Sequence, residues 1–342
     1  MKHEMNLLLS RTTSRRVMCV FLAISLCLTV INIYICCGRL LADHTRPTLP
    51  AGRFRRTPGG AISPDASTSS SSSHLRVLCM VVTSPQHHEG RARHVRATWA
   101  NEEDPNACPA TLYLTSATHP ELPRVIISNY SSYDELWGKV LEGFRALDSS
   151  RADWFLKTDD DTFVIYRHLV NLLAGLNASQ PLYLGLPYQF DLLDGRLVDY
   201  MSGGAGYLLS KTALRRLQKT TLQECHYPGP TIFEDVNMGA CMNALDVEIV
   251  DTRDQLGRPR FLPYPPWLLI DPASKHDPKY SWLKLRSKYP FEFGVQHLSD
   301  RVISFHEVRN PVQFYLLQYL SQEVNLLLPG MAAPFTALSH HP

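Results

Sequence analysis

Three consecutive aspartates are the most distinctive chemical feature of this sequence. Asp159, Asp160 and Asp161 stand between two short apolar segments, 154–156 and 163–165, which both read as strands. Adjacent carboxylates repel one another, and a cation relieves that repulsion. Carboxylate oxygens suit Mg²⁺ or Mn²⁺, which in turn bind phosphate oxygens. The position between strands favours a metal site over an acidic surface turn, and no Gly or distal Glu follows at the offsets of an EF-hand loop.

Two further side chains could complete such a site. His306 ends a predicted strand over 302–305, where its imidazole would join carboxylates on one ion or be an ordinary strand-end histidine. Asp235 opens a predicted helix, where it either complements the helix dipole or acts as a general base directed toward the metal. The sequence therefore nominates His306 as a ligand and Asp235 as a base.

A glycine-rich run and several aromatic residues offer ligand contacts. Residues 201–206 lack the spacing of a dinucleotide-binding fingerprint. They predict either a tight turn or backbone that approaches a ligand or a neighbouring segment closely, with Gly204 at the centre. Trp282, Tyr280 and Tyr264 could stack on sugar rings or serve as packing anchors.

The elements that must position these residues alternate between strands and helices. This alternation predicts an α/β sandwich with a largely parallel sheet, in which ligands bind beyond the carboxyl ends of the strands. A segment rich in Pro, Tyr and Trp, 258–290, is predicted to be an ordered loop region. Predicted strands cover 75–83, 111–114, 125–127, 154–156, 163–165, 182–186, 207–209, 247–250 and 302–305, and predicted helices 91–100, 136–147, 169–176, 211–219 and 236–245, with a last one capped by Asn310.

The N-terminal region predicts a membrane anchor and a stem. Residues 17–38 carry no charge and would span roughly 33 Å as a helix, enough to cross a bilayer. The basic residues before this run keep the tail, 1–16, in the cytosol. A cleaved signal peptide is the alternative, but its apolar region is only about 7–15 residues long. Residues 39–74, rich in Pro, Ser and Thr, predict a flexible stem.

The remaining chain reads as a luminal domain, 75–328, and a tail, 329–342. Four cysteines of that domain allow three disulfide connectivities in an oxidising lumen, and we favour Cys79 with Cys108 and Cys225 with Cys241, because each pair closes a local loop. The triplets at Asn129 and Asn177 fit the N-glycosylation pattern. A net charge of +2 without a basic stripe argues against nucleic-acid binding. The oligomeric state stays open, with a homodimer as one option.

Taken together, these segments resemble the core 1 branch of glycosyltransferase family 31. The similarity runs in order from about residue 75 to residue 320, and the run Tyr-Met-Ser-Gly-Gly-Ala-Gly-Tyr is characteristic of the branch. The matching stretches are 93–99, 153–157 with the three aspartates, 200–210, Glu234-Asp235 and 304–306.

The resemblance implies a GT-A-like (Rossmann-type) fold in a single-pass type II Golgi membrane protein. It implies inverting transfer of galactose from UDP-galactose, with Mn²⁺, to the 3-hydroxyl of GalNAc linked to Ser or Thr. By position, the roles would be Asp159, Asp161 and His306 for the metal, Asp159, Asp160, Val82 and Lys139 for the nucleotide, Asp235 as the base, and Trp282 with Gly204 for the acceptor.

The chain departs from the family at four positions. His297 and Leu298 replace a Cys-Cys pair, Glu307 replaces Tyr, and Tyr133 replaces Arg. The last two bear on the choice of sugars more than on the chemistry. Two alternatives therefore stay open: a fringe-like family 31 transferase with other sugars, and a non-catalytic luminal chaperone of the galactosyltransferase. The intact aspartate run, with Asp235 and His306, argues against the chaperone.

Overall fold

The computed structural model describes residues 75–221, 223–225 and 229–322 as an α/β fold. Its strands are β1 (Val77–Val82), β2 (Thr111–Thr115), β3 (Val125–Ile127), β4 (Trp154–Asp159), β5 (Phe163–Val164), β6 (Leu182–Leu184), β7 (Pro187–Asp191), β8 (Leu197–Met201), β9 (Tyr207–Ser210), β10 (Glu248–Ile249), β11 (Phe261–Leu262) and β12 (Ser304–Phe305). Its helices are α1 (Arg93–Ala97), α2 (Leu136–Ala146), α3 (Tyr166–Leu173), α4 (Lys211–Lys219), α5 (Glu234–Ala244), α6 (Pro266–Leu269), α7 (Ser281–Arg286) and α8 (Pro311–Gln322).

The main sheet has seven strands in the order β10-β6-β9-β4-β1-β2-β3. Its neighbours run parallel except at β9, which is antiparallel to both β4 and β6. The largely parallel sheet predicted from the sequence is therefore confirmed. The carboxyl ends of the two central strands meet side by side, with Val82 in register with Asp159.

Helices cover both faces of this sheet, as a parallel sheet requires. Along β1, Val77, Cys79 and Val81 face one apolar core, and the residues between them face the other. The first core includes side chains of α3 and α8, and the second includes those of α2, α4 and α5. Because β1 and the first five residues of β4 are buried, polar groups at their ends mark the rim of the core.

A second, three-stranded sheet in the order β11-β12-β5 holds the imidazole of the candidate site. β12 pairs antiparallel with β5, which follows the aspartate run, so that Phe305 lies opposite Phe163. The end of β12 is thereby brought to the turn between β4 and β5. His306 follows β12 of this small sheet and not a strand of the main sheet.

Several elements differ from the sequence predictions. The hairpin β7–β8 was not predicted, and the segment 258–290, predicted as a loop region, contains β11, α6 and α7. The predicted helix 91–100 is shorter, because a π-helical turn (His88–Ala92) precedes α1 and the helix ends at Ala97. Asn310 does cap α8, and its Oδ1 accepts a hydrogen bond of 3.0 Å from Val312 N.

The disulfides Cys79–Cys108 and Cys225–Cys241 are both present, which confirms the preferred pairing. Asn129 and Asn177 are exposed. The predicted cytoplasmic tail, anchor, stem and C-terminal tail lie outside the described residues. Within the described ranges, none of the helices has both the length and the apolar character needed to cross a membrane.

Candidate active site

Asp159, Asp161 and His306 converge where β4 and β12 end. One ligand atom from each of the three lies within 4.8 Å of the others. The Nε2 atom of His306 is 3.1 Å from Asp161 Oδ1 and 3.9 Å from Asp159 Oδ2. Two carboxylates and an imidazole form a donor set that suits a divalent ion such as Mn²⁺. The chemistry and the spacing of the residues therefore fit the predicted metal.

The charged groups around this cluster keep the Asp161 carboxylate ionised. Burial would raise the pKa of Asp161, but the hydrogen bond and charge of His306, with the charges of Arg91 and Arg309, lower it to about 2. Burial would likewise lower the pKa of His306, yet the hydrogen bond to Asp161 and the charges of Asp161 and Asp159 raise it. Asp161 is thus ionised under ordinary conditions, the form that binds a metal.

Asp160, the middle aspartate, is not part of the metal cluster and contacts Thr83 and Arg91. Asp160 Oδ2 accepts a hydrogen bond of 2.7 Å from Thr83 Oγ1, and its Oδ1 lies 3.2 Å from Arg91 Nη1. Burial raises the pKa of Asp160, although the Thr83 hydrogen bond opposes the shift. Lys139 Nζ donates to the Thr83 carbonyl oxygen at 2.6 Å. Asp160 and Lys139 therefore share one polar patch at the end of β1, apart from the metal cluster.

Two adjoining cavities open on either side of the cluster, and both are lined by Asp159 and His306. The first, of about 1000 Å³ including its open mouth, is also lined by Val82, Lys139 and Asp160. We call it the donor cavity. The second, of about 710 Å³, is also lined by Gly204, Trp282 and Asp235, and we call it the acceptor cavity. Every predicted site residue thus lines at least one of the two cavities, and Asp161 lines the donor cavity.

Asp235 lies in the first turn of α5 and is held by backbone donors. Its Oδ2 accepts a hydrogen bond of 3.1 Å from Gly203 N, and its Oδ1 one of 2.9 Å from Val236 N. Burial raises its pKa, and the two hydrogen bonds and the charge of Lys157 only partly oppose that shift. A carboxylate with a raised pKa is a better proton acceptor than an ordinary aspartate.

Gly204 approaches a neighbouring segment closely, which is one of the two possibilities that the sequence left open. A β-carbon at this position would collide with the His306 ring. Its carbonyl oxygen accepts a hydrogen bond of 2.7 Å from Thr162 Oγ1. The glycine therefore lets the glycine-rich run pack directly on the metal ligand.

The aromatic residues divide between the cavity and the core. Trp282 is 37% exposed and makes edge contacts with Tyr188 and Tyr264 at ring-centroid distances of 5.5 and 6.5 Å. Tyr264 also lines the acceptor cavity. Tyr280 is buried against Tyr264 and Phe293, so it is a packing anchor.

The sequence reasoning missed a buried cation beneath the site. Lys157 is 1% exposed, and its Nζ donates to Asp159 Oδ1 at 2.8 Å, to the Gly203 carbonyl at 3.2 Å and to Glu234 Oε2 at 3.3 Å. Tyr207 completes the cluster by donating to Glu234 Oε1 at 2.6 Å. A lysine directly after the apolar run 154–156 and within the same strand was the signal, because a buried ammonium needs anionic partners.

Three basic side chains of the donor cavity were also missed: His87, Arg91 and Arg309. Arg309 Nε lies 3.4 Å from Asp161 Oδ2, and His87 Nδ1 lies 3.2 Å from Asp160 Oδ2. No sequence motif singles them out, since each comes from a loop or short turn that only the fold brings to the aspartates.

Comparisons with known proteins give the family. The sequence model of a family described as Fringe-like matches residues 72–255, more than half of the chain. A Xenopus laevis protein, glycoprotein-N-acetylgalactosamine 3-beta-galactosyltransferase 1, is 33% identical over 252 residues, which are 72% of this chain and 66% of that protein. A human beta-1,3-glucosyltransferase is 26% identical over 247 residues, 70% of this chain and 41% of that protein. The chain thus spans just under two thirds of the first relative and less than half of the second.

Among solved structures, a crystal structure of the galactosyltransferase LgtC with donor and acceptor sugar analogues aligns with a TM-score of 0.41 and 10% identity, over 74% of this chain and 98% of that chain. A likeness at that level carries no argument by itself. The family assignment depends on the family model and the sequence relatives. On that evidence the chain belongs to the Fringe-like family, which confirms the resemblance read from its motifs.

Proposed function

We propose that this protein transfers galactose, with inversion, from UDP-galactose to the 3-hydroxyl of GalNAc linked to Ser or Thr. One observation carries the proposal: Asp159, Asp161 and His306 meet between two cavities, one lined by the polar groups of Asp160, Thr83 and Lys139 and the other by the half-buried carboxylate of Asp235. The name of the Xenopus relative, which pairs a 3-beta-galactosyltransferase with N-acetylgalactosamine, supports this choice of sugars.

The metal would be Mn²⁺, held by Asp159, Asp161 and His306. When bound, such an ion supplies Lewis-acid charge that neutralises a leaving diphosphate. The chain supplies further positive charge on the same side from Arg91 and Arg309, which both face Asp161. These two guanidinium groups can pair with diphosphate oxygens.

The nucleotide would occupy the donor cavity. Val82 offers an apolar surface there, and the polar patch of Asp160, Thr83 and Lys139 offers hydrogen-bond partners. A carboxylate such as Asp160 can accept hydrogen bonds from ribose hydroxyls. This arrangement supports a nucleoside diphosphate as the donor's leaving group.

Asp235 would be the catalytic base. It accepts the proton of the acceptor 3-hydroxyl while that oxygen forms a bond to the anomeric carbon of galactose. The bond from the same carbon to the diphosphate oxygen breaks, and UDP leaves with the electron pair. Attack from the side opposite the leaving group inverts the anomeric centre. The backbone donors from Gly203 and Val236 fix the carboxylate, so its position does not depend on a flexible side chain.

The proposal includes the cellular setting expected from the sequence. The protein would be a single-pass type II membrane protein of the Golgi with residues 75–328 in the lumen. The two disulfides support an oxidising compartment. The partners would be UDP-galactose and a GalNAc-bearing glycoprotein, with no nucleic acid, and a homodimer remains one option.

Turnover of UDP-galactose with a GalNAc-peptide, measured with and without Mn²⁺, tests this function. We expect a disaccharide product whose formation requires the metal. Donor competition with UDP-glucose and UDP-N-acetylglucosamine distinguishes a galactosyltransferase from a transferase of another sugar. The similarity to a beta-1,3-glucosyltransferase is the reason to test UDP-glucose. Binding of UDP without transfer from any of these donors would refute the catalytic proposal.

A further inference from the structure

Glu307 adopts a backbone conformation that its residue type rarely takes. Its φ is 58°, and within the described residues only Asp246 is another non-glycine residue with positive φ. The β-carbon makes this left-handed region unfavourable for residues other than Gly and, to a lesser degree, Asn or Asp. Such strain persists only where the surroundings impose it.

The surroundings impose it from both sides. His306 N donates to the Leu262 carbonyl oxygen at 3.1 Å, and Val308 N donates to the Asp161 carbonyl oxygen at 2.9 Å. The backbone before and after Glu307 is therefore tied to the small sheet and to the aspartate turn. Glycine would adopt this turn without strain, so Glu307 occupies the position at a conformational cost.

That side chain lines the acceptor cavity together with Asp235, Gly204 and Trp282. Its Oε1 lies 3.3 Å from Arg309 Nη2, but the Arg309 side chain is 60% exposed. An ion pair this exposed is screened by solvent and neutralises little of the carboxylate charge inside the cavity.

The other charges of the cavity do not compensate for Glu307. Lys157 is already shared between Asp159 and Glu234. His306 is paired with Asp161. A divalent ion at the candidate metal site would be balanced by the carboxylates of Asp159 and Asp161, and Lys157 then balances Glu234. Asp235 and Glu307 therefore leave the acceptor cavity with excess negative charge.

We propose that Glu307 is a specificity-determining residue that selects an uncharged acceptor sugar. Its carboxylate accepts hydrogen bonds from sugar hydroxyl or amide N–H groups, and it repels an acceptor that carries a carboxylate of its own. The inference rests on the proposed function, in which this cavity receives the uncharged sugar GalNAc, and it adds the residue that excludes charged sugars from that position.

The test uses two matched probes: benzyl α-N-acetylgalactosaminide and the same glycoside oxidised to a carboxylate at C6. Their dissociation constants are measured by titration calorimetry on the luminal domain in the presence of UDP and Mn²⁺. We expect the wild type to bind the neutral glycoside at least about tenfold more tightly, because like charges in a half-enclosed cavity repel. Glu307→Gln should reduce that preference to about twofold or less.

Glu307→Gly provides the second variant, since it relieves the positive φ and removes the carboxylate together. It should unfold at the wild-type temperature or higher while losing the preference. Asp246→Gly is the matched control: Asp246 has a φ of 53° but is fully exposed and does not line the cavity. It should gain stability in the same way and keep the wild-type preference.

An unchanged preference in Glu307→Gln, equal binding of both probes by the wild type, or no binding of the neutral probe would each overturn the inference. The readout is binding, so it separates this inference from the proposed reaction. A wild type that binds with the expected preference but does not transfer galactose would refute the reaction and leave the role of Glu307 intact.

Discussion

The Nε2 atom of His306 lies 3.1 Å from Oδ1 of Asp161, although the two residues belong to distant parts of the chain. The antiparallel pairing of β5 with β12 produces this contact, because β5 directly follows the aspartate turn and β12 directly precedes the histidine. Gly204 also packs directly against the imidazole ring. The small sheet therefore brings the residues of the candidate metal centre together, and the glycine-rich run packs against its histidine.

Gly204→Ala should weaken Mn²⁺ binding, because the new β-carbon would displace the His306 ring. We expect a loss of about 10- to 100-fold in metal affinity, as for other changes that misorient a ligand. Isothermal titration with Mn²⁺ measures it. Gly90→Ala is the control, since a β-carbon there meets no atom within 4 Å. Equal affinities in the two variants would show that the contact with His306 does not matter.

Asp235→Asn should lower kcat by about 10²- to 10⁴-fold, the usual contribution of a general base. The amide keeps the size of the side chain but cannot accept the hydroxyl proton. The affinity for UDP should stay near that of the wild type, because Asp235 lines the acceptor cavity and not the donor cavity. Full turnover by this variant with normal UDP binding would remove Asp235 from the base role.

The pH profile should show the raised pKa of Asp235. Burial shifts this pKa upward from the ordinary value of 3.8. The base works only when deprotonated, so kcat/KM should be constant above the shifted pKa and fall by about tenfold per pH unit below it. The acid limb should therefore begin at a higher pH than an ordinary aspartate would give. Initial rates at saturating Mn²⁺ measure the profile, and an acid limb at or below pH 3.8 would contradict the assignment.

Lys157→Met should destabilise the fold by about 3–5 kcal/mol, because it leaves the buried carboxylate of Glu234 and the half-buried carboxylate of Asp159 without their shared cation. Urea unfolding followed by tryptophan fluorescence measures this free energy. Lys219→Met, on the exposed face of α4, is the control and should change stability by about 0.5 kcal/mol or less.

Adding Glu234→Gln to Lys157→Met should recover part of the lost stability, since it removes one unpaired charge. If Lys157→Met and Lys219→Met unfold alike, Lys157 does not stabilise the carboxylates of Asp159 and Glu234.

The main sheet and its helices could be predicted because their signals are local. The apolar residues of strands such as 154–156, and the periodic apolar residues of helices such as 211–219, indicate the secondary structure of each segment without tertiary information. Both disulfides close local loops. The hairpin β7–β8 escaped prediction because its strands mix charged, polar and apolar residues without clear alternation. The short strand β11 was not predicted because it has only two residues in a proline-rich segment, and these are a strand only through their pairing with β12.

Residues of the candidate site could be predicted where a recognisable sequence pattern contains them. The aspartate run and the strand-end His306 were nominated from the sequence, and the fold brings them together. Lys157 and Arg309 were not nominated, because their roles depend on which acids the fold places beside them. The strain at Glu307 could not be foreseen either, since it comes from backbone hydrogen bonds to two other segments.

A manganese titration of the luminal domain tests the central claim most directly. The wild type, Asp161→Asn and His306→Ala are titrated with Mn²⁺ in the presence of UDP, and free Mn²⁺ is followed by electron paramagnetic resonance. We predict one bound ion per wild-type chain and at least about tenfold weaker binding in each variant, because each lacks one ligand of the same ion. Mn²⁺ binding of undiminished affinity in both variants would contradict a site shared by Asp161 and His306.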